Sequence, residues 1–378
     1  MKIIPYGRQY IDNKDKLAVS KILEKDKITT GNQVQKFEKK LNNFLKSKFS
    51  VTCNSGTSAL FLAMQAINVK KNDIVVMPAI NFISSYNIAN LFNAKIFLAD
   101  VNPKTGQMRP EDFLNCCKKF KLKKIKALIV MYNGGYPENA DKFIKLKKKY
   151  GFYLIEDACH ALGASYFNNN KKIMVGSCKH SDLCTFSFHP LKSITTGEGG
   201  LVTTNSGAIY DKVRKLSSLG IKKEKNHWKY DVLFTGFNFR LSDFQCALGI
   251  SQLAKLNKFL QKRKKISEIY KRKLSEIKEI ETIRHNKNYV SSNHLFLINI
   301  KNFTLKKKEK LIKFMLSNKI ILQYHYIPIY KFKLFKKKQV LKNSEKYYKS
   351  TLSLPIFYNF SFNEQNYVIK KLKQFFKN

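Results

Sequence analysis

Between residues 74 and 155, short apolar runs alternate with longer amphipathic runs, and this alternation restricts the possible folds more than any other feature of the sequence. The apolar runs have the length and composition of buried strands and lie at 74–77, 96–99, 127–131 and 152–155. The runs between them have helical spacing and lie at 82–92, 111–120 and 142–150. Strands that alternate with helices predict an α/β fold in which helices cover both faces of a mainly parallel sheet.

Ligands of parallel sheets bind beyond the carboxyl ends of the strands. The most distinctive segment at such an end is Glu156-Asp157-Ala158-Cys159-His160, which directly follows an apolar strand. Two acids in this position often bind a metal ion or cap the next helix. No further Asp, Glu or His cluster in the sequence offers a complete metal shell, so an organic cation is the better partner for the carboxylate.

The rest of the sequence predicts additional helices and a second, smaller domain. Two amphipathic helices are expected before the alternating region, at 12–25 and 33–46. After it, helical runs lie at 251–277, 305–318 and 362–376, and strand-like runs lie at 295–300 and 322–326. We therefore expect a large α/β domain over residues 1–250 and a small α+β domain over residues 251–378.

The formal net charge of +45 suggests a nucleic-acid-binding protein, but the distribution of the charge argues against it. Arginine accounts for only seven of the 71 basic residues, and the lysines are spread over every predicted surface helix. Nucleic-acid-binding proteins more often concentrate Arg and Lys on one face or arm. We expect no nucleic-acid partner, although the positive field would attract small anionic substrates.

The seven cysteines show no spacing typical of a metal site or of paired disulfides. We expect no N-terminal signal peptide, and no apolar run in the sequence is long enough to span a bilayer. We therefore expect a cytoplasmic protein with reduced thiols, no bound metal and no membrane partner.

One lysine stands alone in a chain that is otherwise rich in lysine. Lys192 lies in the segment 181–204, SDLCTFSFHPLKSITTGEGGLVTT, and no other lysine occurs between Lys179 and Lys212. Apolar runs typical of strands enclose a polar, glycine-containing loop. Such a strand–loop–strand arrangement holds a side chain rigidly at the edge of a sheet.

A third motif, Asn54-Ser55-Gly56-Thr57-Ser58, follows a strand-like run at 50–53 and begins a helix. Small residues in this position present N–H groups and hydroxyls at the positive end of the helix dipole, which suits a phosphate group. Because Ser and Thr also cap helices that bind no ligand, the motif by itself leaves both interpretations open.

Together the three motifs match the requirements of pyridoxal phosphate. This cofactor needs a lysine for its aldehyde, an aspartate that keeps its ring nitrogen protonated, and anion donors for its phosphate. Phe82, on the loop after strand 74–77, is expected to lie over the ring. Lys192, once released from the aldehyde, is expected to be the catalytic base and acid that moves a proton between carbon atoms.

With these motifs the chain resembles the sugar aminotransferases of the DegT/DnrJ/EryC1/StrS family, which have the fold-type I, aspartate aminotransferase-like fold. Five motifs occur in the family order: ITTGNQVQKFE, NSGTSAL, EDACHALG, FSFHPLKSITTGEGG and GFNFRLSDFQCALG. The resemblance covers essentially the whole chain and implies transamination of a nucleotide-linked keto sugar by L-glutamate. One branch of the family has His in place of the lysine and dehydrates its sugar, so Lys192 favours transamination here.

The resemblance also implies roles for individual residues. Those expected around the cofactor are Lys192 (covalent attachment), Asp157 (ring nitrogen), His160 (phenolic oxygen), Phe82 (over the ring), and Gly56, Thr57 and Ser187 (phosphate). Asn238 is expected to reach the phosphate from a neighbouring subunit, which implies a homodimer with shared active sites. The candidate substrate-binding residues are Tyr6, Thr30, His325 and Tyr326.

Within the family, the C-terminal part is most similar to the branch that serves pseudaminic acid synthesis and aminates C4 of a UDP-linked 4-keto-6-deoxy sugar. This similarity lies in SSNHL at 291–295, YHYIPIY at 324–330 and SLP at 353–355. Asn133 departs from the family pattern, which often has Tyr or Ala there, and 166–180 is unusually rich in Lys and Asn. The alternative is another nucleotide-sugar 4-aminotransferase for surface polysaccharide.

Overall fold

The computed structural model describes residues 2–226, 228–336 and 339–377. Within these residues the chain forms eleven α-helices: α1 Asn13–Leu23, α2 Asn32–Leu45, α3 Gly56–Ala66, α4 Ser84–Leu91, α5 Pro110–Lys119, α6 Phe143–Tyr150, α7 Gly207–Leu216, α8 Asp243–Leu274, α9 Leu305–Ser317, α10 Lys342–Ser350 and α11 Phe362–Lys377. The same residues form fifteen strands: β1 Phe49–Cys53, β2 Ile74–Pro78, β3 Lys95–Ala99, β4 Ile125–Met131, β5 Tyr153–Asp157, β6 Ser165–Asn168, β7 Lys171–Met174, β8 Leu183–Ser187, β9 Gly200–Thr204, β10 Ile221–Lys223, β11 Tyr230–Val232, β12 Ile280–Thr282, β13 Tyr289–Val290, β14 Phe296–Ile300 and β15 Thr351–Leu354.

A seven-stranded mixed sheet, in the order β1-β9-β8-β5-β4-β2-β3, organises the first part of the chain. Strand β9 is antiparallel to its neighbours β1 and β8. The remaining pairs of this sheet are parallel. The predicted α/β fold with a mainly parallel sheet is confirmed. Because β5 and β8 are adjacent and parallel, the residues that follow them emerge at the same edge of the sheet.

Alternate side chains of the central strands pack into two separate apolar layers. Val76 and Leu154 belong to one layer with Phe37 of α2, and Ile129 and Ile155 belong to the other with residues of α3. Successive residues of a strand point to opposite faces, so burial on both sides gives the nearly continuous apolar runs seen in the sequence.

The C-terminal part contains a three-stranded antiparallel sheet, β12-β14-β15. Ile298 of β14 packs with Leu311 of α9 and Leu372 of α11 in a third apolar cluster. Helix α8 contributes to two clusters, through Leu256 in that of the large sheet and through Tyr270 in the C-terminal one. The proposed domain boundary at residues 250 and 251 falls inside this helix and stays a prediction.

Several local predictions were wrong. The helix expected at 251–277 is part of a single 32-residue helix, α8, which begins earlier, at Asp243. The segment 322–326 is not a strand, because its only ladder contact is an isolated bridge between Gln323 and Ser353. Helix α10 and the β6–β7 hairpin were not predicted; the hairpin lies in the Lys/Asn-rich stretch, where apolar alternation is weak.

Two of the sequence motifs meet at the start of α2. The Asp243 carboxylate accepts hydrogen bonds from the N–H groups of Gly31 (2.6 Å) and Gln33 (2.8 Å). A Cβ atom at Gly31 would lie 2.8 Å from Asp243 Oδ1, so the contact requires glycine. Asp243 thus caps α2 as well as occupying the first turn of α8, and this contact links ITTGNQVQKFE to GFNFRLSDFQCALG.

None of the helices in the described ranges is both long and apolar enough to cross a lipid bilayer. The same ranges contain no group of three or more His, Cys, Asp or Glu side chains arranged to hold a metal ion.

Candidate active site

A cavity of about 650 Å³ lies between the carboxyl edge of the large sheet and the C-terminal part of the chain. Ten of the residues singled out in the sequence line it: Tyr6, Gly56, Thr57, Phe82, Asp157, His160, Ser187, Lys192, His325 and Tyr326. The fold therefore brings together residues that are up to about 320 positions apart in the sequence.

The first turn of α3 forms one end of the cavity. Ser55 caps this helix by accepting a hydrogen bond from Ser58 N–H at 3.0 Å. A Cβ atom at Gly56 would lie 2.8 Å from Ser187 Cβ, so only glycine allows the helix to approach β8 this closely. The Thr57 hydroxyl is 2.9 Å from that of Ser84. Hydroxyls and the free N–H groups of a helix start suit an anionic group.

Asp157 is the last residue of β5 and is 3% exposed. Its carboxylate accepts hydrogen bonds from the Ser85 hydroxyl (3.2 Å) and from Cys159 N–H (3.3 Å), which are both neutral donors. Burial raises the pKa of Asp157, although hydrogen bonds and the charge of Lys192 oppose the rise. A buried carboxylate beside a cavity, held by neutral donors, suits a cationic group of a ligand.

Lys192 lies in the loop between β8 and β9, which backbone hydrogen bonds hold in place. Phe188 N–H donates to Gly199 (2.8 Å), Thr196 N–H donates to Phe188 (3.0 Å), and Lys192 N–H donates to His189 (2.9 Å). Burial lowers the pKa of Lys192, while Cys159 and Asp157 oppose the shift. A lysine with a lowered pKa has a larger neutral, nucleophilic fraction than a solvated one.

His160 lies in a turn closed by Ala161 N–H and the Ala158 carbonyl at 2.7 Å, not in a helix. Its Nδ1 accepts from Gly134 N–H at 3.3 Å, so its other nitrogen, Nε2, carries the proton and donates to the Tyr326 hydroxyl at 2.9 Å. Burial, followed by the charge of Lys192, lowers the pKa of His160 well below its ordinary value. The imidazole is therefore neutral.

His325 and Tyr326 form a wall opposite the sheet. The His325 carbonyl accepts hydrogen bonds from the Tyr347 hydroxyl (2.6 Å) and from Asn133 Nδ2 (3.2 Å), and His325 Nδ1 is 2.7 Å from Ser353 Oγ. Burial lowers the pKa of His325 to about 3, so it too is neutral. Asn133, which departs from the family pattern, therefore tethers this wall to the large sheet.

Two aromatic side chains border the cavity beside this wall. Phe82 is 52% exposed, and its ring centroid lies 5.8 Å from that of Tyr326. The Tyr6 ring lies 5.5 Å from that of His325. An aromatic face left open to the cavity suits a flat ligand ring at Phe82.

Thr30 and Asn238 do not line the cavity within this chain. Both are exposed. Thr30 precedes the capped start of α2, and Asn238 forms an isolated bridge with Ser218. Their contacts with a substrate or with the site of a second subunit stay predictions.

Sequence reasoning missed several lining residues, of which Asn81 and His294 are the most informative. Asn81 immediately precedes Phe82, in a segment that follows a parallel strand, so the strand-end rule included its position. His294 belongs to SSNHL at 291–295, and no periodicity distinguishes it from a core residue.

Comparisons with known proteins identify the family of this chain. Residues 9–373 match the model of the DegT/DnrJ/EryC1/StrS aminotransferase family, and the chain belongs to this family. It is 36% identical over 369 residues to the UDP-4-amino-4,6-dideoxy-N-acetyl-beta-L-altrosamine transaminase of Campylobacter jejuni subsp. jejuni, covering 97% of this chain and 96% of that one. It is 27% identical over 386 residues to the GDP-perosamine synthase of Escherichia coli O157:H7, covering 100% and 99%.

Among solved structures, the chain is similar to Helicobacter pylori PseC, described as an aminotransferase involved in the biosynthesis of pseudoaminic acid. The TM-score is 0.91 at 28% sequence identity, with 100% of both chains covered. The predicted family and its fold-type I architecture are confirmed.

Proposed function

We propose that this chain transfers the amino group of L-glutamate to the keto carbon of a nucleotide-linked 4-keto-6-deoxy sugar, with pyridoxal phosphate as cofactor. The observation that carries the proposal is the meeting of Lys192, Asp157 and the glycine-dependent start of α3 in one cavity. A family member that had the same fold but acted as a binding or regulatory protein would not need all three of these features.

The residues present fit pyridoxal phosphate. The first turn of α3, with Gly56, Thr57 and the adjacent Ser187, would hold the phosphate, and Phe82 would cover the ring. Asp157 would pair with the ring nitrogen, whose positive charge would offset the cost of burying the carboxylate. When bound, the cofactor supplies an electron sink that stabilises negative charge on the carbon atom from which a proton is removed.

The side chains around that site have distinct tasks. Lys192, with its lowered pKa, would hold the cofactor and, once released, would accept a proton at Nζ and return it to a neighbouring carbon atom. His160, neutral and fixed by Gly134, orients the Tyr326 hydroxyl through Nε2–H.

We assign the substrate to the UDP-linked 4-keto sugar that would give UDP-4-amino-4,6-dideoxy-N-acetyl-β-L-altrosamine, the intermediate of the pseudaminic acid branch. The name of the C. jejuni relative supports this choice. So does the resemblance of SSNHL at 291–295 and YHYIPIY at 324–330 to the pseudaminic acid branch. Tyr6, His325 and Tyr326 would contact the sugar. Thr30 and Asn238 would complete the site from a second subunit, since neither lines the cavity of its own chain.

The decisive experiment incubates the purified protein with pyridoxal phosphate, L-glutamate and a panel of UDP-, dTDP- and GDP-linked 4-keto sugars. We expect an amino sugar only with the UDP-linked, N-acetylated member, detected by mass spectrometry with 2-oxoglutarate as coproduct. A protein that forms no amino sugar from any member of the panel would contradict the proposal.

The second candidate is a 4-aminotransferase for a different nucleotide sugar. The full-length similarity to GDP-perosamine synthase is the observation that favours it. A product formed from the GDP-linked 4-keto sugar, and not from the UDP-linked one, would select this candidate.

A further inference from the structure

Two buried polar side chains in the cavity wall have atoms without a hydrogen-bond partner. Asn81 is 1% exposed, and neither its Oδ1 nor its Nδ2 has a partner within the described residues. His294 is 6% exposed, and its Nδ1 has no partner in the same part of the chain. An unpaired buried polar atom destabilises a fold, so such atoms at a cavity point to a ligand that pairs with them.

These atoms are concentrated at the cavity. Six buried side-chain atoms in the described ranges lack a partner, and three of them belong to Asn81 and His294. The other three belong to Gln107, Asn133 and Ser165, none of which lines this cavity.

Asn81 and His294 approach the cavity from different parts of the fold. Asn81 lies on the loop after β2, next to Phe82, whereas His294 lies two residues before β14. The His294 ring centroid is 4.3 Å from that of His160. Phe82 and His160 both contact Tyr326, so each of the two unpaired residues is next to a residue that contacts Tyr326.

The cofactor provides no obvious partner for either side chain. If the proposed function is correct, the phosphate, ring nitrogen and aldehyde of pyridoxal phosphate are matched by residues other than these two, and the family resemblance assigns the phenolic oxygen to His160. The unpaired atoms are therefore left for the second ligand of the cavity, the substrate. This step rests on the proposed function.

Both side chains are neutral, and this limits the ligand groups that they can bind. Asn81 is neutral, and its amide offers one acceptor and two donor hydrogens. Burial, followed by the positive charges of Lys192 and Arg263, lowers the pKa of His294 well below its ordinary value, so this ring is neutral too. Neutral donors and acceptors suit hydroxyl, carbonyl and amide groups, whereas a diphosphate or a glutamate carboxylate is better bound by cations.

We propose that Asn81 and His294 form the subsite that binds the sugar ring of the substrate, through hydrogen bonds to its hydroxyl and acetamido groups. The two residues are specificity determinants of the sugar half-reaction and have no part in holding the cofactor. The subsite is unpaired when only the cofactor is bound and becomes paired when the sugar enters.

The test begins with the stability of the holoenzyme without sugar. In Asn81→Leu, an apolar side chain of similar size replaces an unpaired amide, so Tm should rise by roughly 1–3 °C. The matched control is Asn299→Leu in β14, because Asn299 is also buried but is fully paired, with Nδ2 donating to the Lys104 carbonyl (2.9 Å) and Oδ1 accepting from Thr351 Oγ1 (2.7 Å). Its Tm should fall. A fall in Tm for Asn81→Leu comparable to the control would overturn the proposal, because it would mean that the amide is already paired.

The second measurement separates the two half-reactions. For Asn81→Leu and for His294→Phe, kcat/KM for the keto sugar should fall at least about tenfold, as expected for a lost substrate hydrogen bond in a buried site. The rate with L-glutamate and the affinity for pyridoxal phosphate should stay within about twofold, because neither depends on the sugar subsite. Weakened cofactor binding, or equal losses in both half-reactions, would overturn the assignment to the sugar.

Failure of the proposed function would look different. A wild-type protein without a visible band from bound cofactor and without a response to L-glutamate would contradict the aminotransferase assignment itself. The comparison of Asn81→Leu with Asn299→Leu on the protein without sugar would still report whether the Asn81 amide is unpaired.

Discussion

The floor and the wall of the cavity are built in different ways. The floor, which we define as Gly56, Asp157, Ser187 and Lys192, lies at the start of α3, at the ends of β5 and β8, and in the loop between β8 and β9. The wall, which we define as His325 and Tyr326, lies in an irregular segment held by side chains from distant parts of the chain, including Asn133, which is 192 positions away from His325. Backbone hydrogen bonds of regular elements and of one loop thus position the floor, whereas individual side-chain contacts position the wall.

This difference predicts which half-reaction a substitution in each region should affect. A change in the floor disturbs the backbone of the sheet, where close packing leaves little tolerance. A change in the wall alters one or two hydrogen bonds and leaves the sheet intact. Variants of the floor should therefore affect both half-reactions, and variants of the wall should affect mainly the sugar half-reaction.

The largest effect is expected at Lys192. Lys192→Ala removes the group that holds the cofactor and carries the proton, so transamination should fall by at least about 10³-fold, and the visible band of the covalently held cofactor should be lost. Absorption spectra and turnover measure both effects. Lys179→Ala is the matched control, because Lys179 is an exposed lysine two positions before the segment 181–204. This variant should behave like wild type. A retained band in Lys192→Ala would contradict the role of Lys192.

The next effect is expected at the start of α3. Gly56→Ala introduces a Cβ that would lie 2.8 Å from Ser187 Cβ, so α3 or β8 must shift. This shift should widen the proposed phosphate-binding site at the start of α3. The Kd for pyridoxal phosphate should increase by roughly tenfold or more, measured by titration of the visible band.

The matched control for this variant is Gly207→Ala. Gly207 also opens a helix behind a serine cap, but no atom lies within 4 Å of the place that a Cβ atom would take there. It should leave the Kd unchanged. Equal losses in both variants would show that the loss of helix-start flexibility, and not the contact with Ser187, is responsible.

A smaller and more selective effect is expected at Tyr347. Tyr347→Phe removes the hydroxyl that donates to the His325 carbonyl and accepts from Asn133 Nδ2, so the wall becomes less well fixed. KM for the keto sugar should rise several-fold, with the L-glutamate half-reaction unchanged, because one hydrogen bond contributes about 1 kcal/mol. Steady-state kinetics measure the effect. Tyr153→Phe, at an exposed tyrosine of β5, provides the control, and an effect on the L-glutamate half-reaction would remove the distinction between floor and wall.

The smallest effect is a pH dependence of stability near the wall. Lys308 is buried in α9, with Nζ 4.1 Å from the ring centroid of Tyr324, the neighbour of His325, and it donates to the Tyr348 carbonyl. Burial lowers the pKa of Lys308 to about 7. The pKa of a lysine in an unfolded chain is about 10.4. Between the two pKa values the unfolded state therefore binds more protons than the folded state, and the free energy of unfolding rises with pH.

Lys308→Met should remove this contribution. Its Tm should exceed that of wild type at pH 7 by roughly 1–3 °C, and the difference should shrink as the pH rises toward 10. Thermal unfolding at several pH values measures it. A difference that grows with pH would show that the tyrosine rings keep Lys308 charged.

Local patterns in the sequence predict the large sheet, and the order of its motifs predicts the family. Parallel strands buried on both faces leave continuous apolar runs, and the polar residues after them must lie at one edge of the sheet. This rule selects Asp157, whereas Lys192 stands out by its isolation in a polar loop, and the role of Gly56 comes from the family resemblance.

The long-range contacts that hold the wall, and the polar atoms that have no hydrogen-bond partner, are visible only in the folded chain. The segment 322–326 is apolar enough to predict a strand, yet the hydrogen bonds that fix it come from Asn133, Tyr347 and Ser353, which lie far from it or outside its own element. Asn81 and His294 are distinguished only by side-chain atoms that have no hydrogen-bond partner within the described residues. Long-range pairing depends on the folded arrangement of distant segments, and no local periodicity in a sequence encodes it.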